Sequence, residues 1–209
     1  MGGGLSTSTS YIQESTAGEV GSGDLGSSNY KLMAGYQQMQ EVYLALSDPS
    51  DVTLLPSLAG LTGGTSNGST TVTVTTDSPA GYSLTLESQN APAMQSGANT
   101  ISDYSEGADA DYTFVVTPGL AHFGFSPSGA DIASFFKDNG ALCGVGSSDA
   151  TLACWAGLST TGTIISAGAN SNHPNGATTT INFRVGIGSG AGVITGLYTA
   201  TTTLTALPL

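Results

Sequence analysis

Positive charge is nearly absent from this chain. Among 209 residues only Lys31, Lys137 and Arg184 are Lys or Arg, against 15 Asp and Glu, for a formal net charge of −12. So few cations cannot neutralise a row of phosphates, which excludes electrostatic binding of DNA or RNA, and they give anionic lipid nothing to hold. Charge of either sign is scarce, at 9% of residues where about 25% is usual. Long hydrophobic runs are missing too. No stretch approaches the ~18 apolar residues of a membrane helix, so no membrane insertion is expected.

Small polar residues fill the space: 28 Thr, 27 Ser, 30 Gly and 23 Ala. Disorder is one reading of such a composition and an exported β-protein the other. Apolar residues make up 39% of the chain and alternate along it, which favours the second. A chain of this length is expected to bury one real core without a metal.

Residues 1–37 read as an N-terminal extension, a candidate donated strand. Ser8-Thr9-Ser10-Tyr11 recurs as Ser27-Ser28-Asn29-Tyr30, a weak repeat of two copies. In the second copy Tyr30, Leu32, Ala34 and Tyr36 share one face at period two. Residues 38–209 read as a single β-sandwich domain of Ig-like or pilin-like type. Thr70–Thr76 and Tyr82–Leu86 flank the turn Asp77-Ser-Pro-Ala-Gly81 and read as a hairpin. Further strands are expected around 39–46, 112–117, 122–126, 162–166, 178–187 and 197–206.

One short helix is expected near residue 135. Asp131 would cap it, Ile132, Phe135 and Phe136 give an apolar face, and Gly140 stops it. Cys143 and Cys154 follow, ten residues lying between them. In an exported β-protein the pair is expected to be a disulfide closing a short loop, two free thiols being the alternative. Residues 128–160 thus read as an insertion over one end of the sandwich. Met1-Gly-Gly-Gly-Leu5 has neither the basic nor the apolar region of a secretory signal. The expectation is a secreted or cell-surface protein whose signal peptide has been removed.

Catalytic patterns are missing. His122 falls in a strand pattern and His173 in a turn, no Ser or Cys sits in a nucleophile elbow, and only five glutamates are present. No enzymatic activity is expected. Asp103, Glu106, Asp109 and Asp111 crowd into nine residues. Asp103, Asp109 and Asp111 are the candidate Ca²⁺ ligands, although the spacing is not that of an EF-hand and a solvated acidic loop explains it as well. No other cofactor is implied.

The segment Ser27-Ser-Asn-Tyr-Lys-Leu-Met-Ala-Gly-Tyr-Gln-Gln-Met-Gln-Glu-Val-Tyr-Leu44 resembles a motif of uncharacterised exported proteins from candidate-phyla-radiation bacteria. Gly63–Ser69, Asn172-His-Pro174, Phe183–Gly188 and Tyr198–Leu209 belong to the same pattern. The resemblance spans nearly the whole chain and implies export, while carrying no activity with it. The last strand, Gly196–Leu204, is also similar to the closing strands of bacterial surface and pilin sandwiches.

Two functions fit these features. The first is a structural subunit of an extracellular filament or surface layer, its partner a second copy of itself. Tyr11, Ile12, Tyr30, Leu32 and Tyr36 would form the donated strand. The second is a secreted adhesin or carbohydrate-binding module, with surface glycans stacking on Tyr36, Tyr43, Tyr82, Trp155 or Tyr198.

Overall fold

A computed structural model describes residues 42–209 throughout and, ahead of them, the backbone of four short strands. The chain divides into two compact units, Met1–Tyr43 and Leu44–Leu209. In the first, β1 (Gly2–Thr7) pairs antiparallel with β2 (Ile12–Ala17), and β3 (Gly23–Gly26) with β4 (Lys31–Ala34). These are two-stranded ribbons, a form that is marginal in water without a third strand.

The second unit is all-β. Its strands are β5 (Leu44–Leu46), β6 (Gly64–Thr76), β7 (Tyr82–Ser88), β8 (Met94–Ser96) and β9 (Asn99–Asp103), then β10 (Ala121–Gly129), β11 (Ala156–Gly157), β12 (Thr163–Gly168), β13 (Ala177–Ile187) and β14 (Thr202–Pro208). The larger sheet runs β5-β6-β13-β10-β9-β8, with β11 added beside β10. The smaller runs β12-β7-β14. Neighbours are antiparallel except β9 and β10, which run parallel.

The period-two pattern decides which faces meet. Val72, Val74 and Thr76 of β6, Ile181 and Val185 of β13, and Phe123 and Phe125 of β10 are buried from the larger sheet. Tyr82, Leu84 and Leu86 of β7 and Ile165 of β12 are buried from the smaller, and the apolar residues of both sets form one core. β6 and β7 are therefore not the hairpin that their sequence suggests. The turn at 77–81 carries the chain from one sheet to the other. Burying both apolar faces is worth more than one hydrogen-bonded ladder, at about 1.5–3 kcal/mol per large side chain.

The expected helix is absent. Only Ser134–Phe136 turns, as 3-10, between extended residues at Ala133 and Lys137. The backbone on either side is already taken. Ala133 N–H donates to Ile165 O (3.1 Å), Ala167 N–H to Asp131 O (2.8 Å), and Asp138 exchanges two bonds with Ser148. Nor does the Asp131 side chain cap a helix, because its Oδ2 accepts from the Tyr82 hydroxyl at 3.2 Å.

Residues 112–117 form no strand either; they lie on the outer face of the larger sheet. Phe114 stacks on Tyr104 at 4.4 Å between ring centroids and meets Trp155 edge-on at 5.3 Å. Two glycines let this layer approach. A Cβ on Gly124 would lie 3.1 Å from Phe114 Cε2, and one on Gly186 would overlap Val116 Cγ2. Trp155 is thereby fully buried, 0% exposed.

Candidate assembly edge

A sheet edge carries unpaired N–H and C=O groups, so each edge must be covered or left as a place for another strand. The two edges of the smaller sheet are treated differently. On the β12 side, residues 131–133 lie along the strand and take its outward groups, with Ile132 bridged to Ser166. The Ser166 hydroxyl adds a bond to Asp131 O (3.0 Å) and another with the Tyr82 hydroxyl (3.0 Å). Burial pushes the Tyr82 phenol up to about 12; the Ser166 bond opposes this, and the Asp131 charge adds to it.

On the β14 side no described residue bonds to the outer edge, although β5 comes close to the strand. Gln89 N–H donates to Thr201 O and Leu209 N–H to Gly81 O, which sets the parity of the strand. Odd-numbered residues face β7, and Thr202, Leu204 and Ala206 point their backbone groups outward. None of these outward groups has a partner among the described residues. Half-buried Thr202, Leu204 and Ala206 alternate with exposed Thr203, Thr205 and Leu207. The strand has no charge, and its one edge-blunting residue is Pro208 at the far end. No sequence argument singled out this edge. Its legible signal was an uncharged alternating strand with no lysine.

Elsewhere the unit is pinned by one covalent link. Cys143 and Cys154 form a disulfide. Just ahead of the closed loop the carboxylate of Asp138, 1% exposed, accepts from Gly140 N–H (2.7 Å) and, within the loop, from Ala150 N–H (2.8 Å). Leu142 and Val145 stand exposed on it and, with Asp109, Asp111, Tyr112 and Cys143, line an open cleft of about 310 Å³.

The candidate Ca²⁺ ligands do not converge. Asp103 accepts from Ala93 N–H at 3.1 and 3.2 Å, and burial raises its pKa against that bond. Asp111 accepts from the Tyr104 hydroxyl at 2.7 Å. Asp109 is exposed beside Gly144. Among the described residues no three metal-ligating side chains form a group. Burial, with the Asp111 bond second, pushes the Tyr104 phenol up to about 12.

Arg184 lies over Trp155 at 4.3 Å and donates from Nε to Asn67 Oδ1 at 2.6 Å, its pKa lowered by burial. Of the aromatics considered for sugar stacking, Tyr82 and Trp155 present no ring to solvent. Tyr198 donates its hydroxyl to Ile194 O at 3.0 Å, and Tyr43 remains partly exposed.

Of the expected donated-strand residues, Ile12 opens β2 opposite Thr7 and Leu32 lies in β4 opposite Leu25. Tyr11, Tyr30 and Tyr36 lie outside the described residues. Among the described residues no helix is long and apolar enough to cross a membrane.

Fold and edge together define an all-β, disulfide-closed protein in which, among the described residues, no backbone bond reaches the outer side of β14. No protein-family model, no curated protein and no solved structure matches the chain.

Proposed function

We propose that this protein is an exported structural subunit of an extracellular filament or cell-surface assembly. Its N-terminal segment self-associates with a second copy by adding as a β-strand. The two sheets of residues 44–209 are read as a β-sandwich of the kind bacterial surface subunits use, and the resemblance of 27–44 to exported proteins supports the location. One observation carries the reading. The chain divides into a unit with its own core and a separate unit, Met1–Tyr43, of short two-stranded ribbons. Such ribbons gain more than they lose by joining a larger sheet, where backbone bonds give strength and alternate side chains give register. A head-to-tail contact of this type does not close on itself and yields a filament. A scarcity of lysine and an abundance of threonine suit a β-rich protein exposed to proteases.

The test is negative-stain microscopy with mass photometry of the full chain beside Leu32→Asp/Tyr36→Asp. The wild type is expected to form polymers and the double variant to remain a folded monomer near 21 kDa. Polymers from the variant at wild-type yield would end the proposal. A monomeric wild type that captures glycans on an array would put the adhesin in its place.

A further inference from the structure

We infer that the outer edge of β14 is the acceptor site, and that its occupant is a strand from the N-terminal segment of a second copy. This rests on the self-association reading above and adds where the contact is made.

Three observations select this edge. The first is vacancy. Thr202, Leu204 and Ala206 each turn an N–H and a C=O away from β7, and none of the six groups has a partner among the described residues. Among the described residues β5, the end strand of the larger sheet, is also unbonded on its outer side, but it is three residues long against seven for β14. The β12 edge is taken by residues 131–133, and β8 exchanges Gln95 N–H to Thr199 O (2.9 Å) and Thr199 N–H to Gln95 O (2.8 Å). The second is charge. Copies carrying −12 each repel one another at a distance, and the place where they touch must be free of carboxylates. No charged residue follows Arg184, so β14 carries no charged side chain, and on its pairing strand β7 Glu87 lies opposite Thr203. The third is the supply of strands. β4 (Lys31–Ala34) brings Leu32 and Met33 and no carboxylate, whereas β2 (Ile12–Ala17), six residues long against seven for β14, carries Glu14 and fits the edge less well. Strand addition needs no cavity. It needs free backbone groups over several residues and an uncharged edge, and β14 has both.

Proline makes the test selective. Pro208 already occupies an outward position, where a missing N–H breaks no bond to β7. Thr202→Pro/Ala206→Pro removes two more outward N–H groups and leaves the odd-numbered bonds in place. In the full chain this variant is expected to keep its disulfide and a melting midpoint close to wild type, and to lose at least ~10-fold in assembled fraction by mass photometry. A folded variant that assembles at wild-type yield would overturn the assignment.

Residue-resolved amide exchange on the wild type gives the answer should the variant misfold. Leu204 and Ala206 amides are expected to slow at least ~10-fold on assembly while Thr203 and Thr205, already bonded to β7, change little. Equal rates before and after assembly would overturn it. The two proposals fail separately. Assembly lost in Leu32→Asp/Tyr36→Asp but kept with the edge prolines leaves self-association standing and removes β14 as acceptor. A wild type that stays monomeric at every concentration removes both.

Discussion

The two edges of the three-stranded sheet differ in how the chain finishes them. Along β12 the segment 131–133 returns and bonds to it, and behind that segment stand the Tyr82–Asp131–Ser166 network and the disulfide loop. Along β14 no described residue bonds to the outward groups of Thr202, Leu204 and Ala206. Covering an edge needs residues with fixed backbone directions, and about 30 residues between β10 and β12 serve that purpose along with covering the outer face. Leaving the other edge open costs nothing while water can reach its N–H and C=O groups. The difference teaches where substitutions should matter for the fold of one copy and where they should matter only between copies.

The sharpest way to break the covered side is to cut its staple. Cys143→Ser/Cys154→Ser is expected to lower unfolding free energy by about 2–3 kcal/mol from loop entropy alone, read from urea melts. A loss under ~0.5 kcal/mol would mean that Asp138, with its bonds to Gly140 and Ala150, holds the loop unaided. Next comes a proline on the covered edge. Ala167 is exposed, yet its N–H donates to Asp131 O at 2.8 Å. Ala167→Pro should cost about 1–3 kcal/mol, the order expected when a bond is removed and its acceptor left unmatched.

Smaller still is the hydroxyl behind that edge. Tyr82→Phe removes bonds to Asp131 Oδ2 and Ser166 Oγ and should cost about 1 kcal/mol at neutral pH. The same substitution should flatten the alkaline limb. An unfolded chain releases its phenol protons near 10, whereas folded Tyr82 and Tyr104 hold theirs until about 12. Between those values the folded state binds more protons, so stability falls as pH rises. A melting midpoint that stays flat from pH 9.5 to 11.5 in the wild type would contradict the burial of both phenols.

Much of the second unit was legible in the sequence, and for one reason. β7, β10, β12 and β13 are alternating or β-branched runs whose buried residues the pattern identifies, and the Cys143–Cys154 link follows from spacing and composition. What misled was locality. A short turn after β6 looks like a hairpin, but nothing in residues 70–86 reveals that Ile181 and Leu204 lie beside them to make separate sheets. The segment 131–140 carries the cap, face and stop of a helix, and lost it to backbone bonds from Ile165 and Ser148, partners no local signal could name. The candidate edge was half legible: a strand is expected over 197–206 and β14 occupies Thr202–Pro208, but which of its residues face outward depends on pairing with β7.

Parity is what the last substitution isolates. Ala167→Pro and Ala206→Pro make the same chemical change at opposite edges of one sheet. At 167 the lost N–H is bonded, to Asp131 O, and at 206 it points outward without a partner. Pro208, two residues on, shows that the strand accommodates the ring and its fixed φ at an outward position. Fixing φ in the unfolded chain also favours the folded state slightly where the native backbone suits proline. Ala206→Pro in a dilute, monomeric sample is therefore expected to shift unfolding free energy by less than ~0.5 kcal/mol. Urea melts of the two variants run side by side measure the contrast directly. If Ala206→Pro proves as costly as Ala167→Pro, the Ala206 N–H already has a partner within its own chain, and β14 is a covered edge like β12.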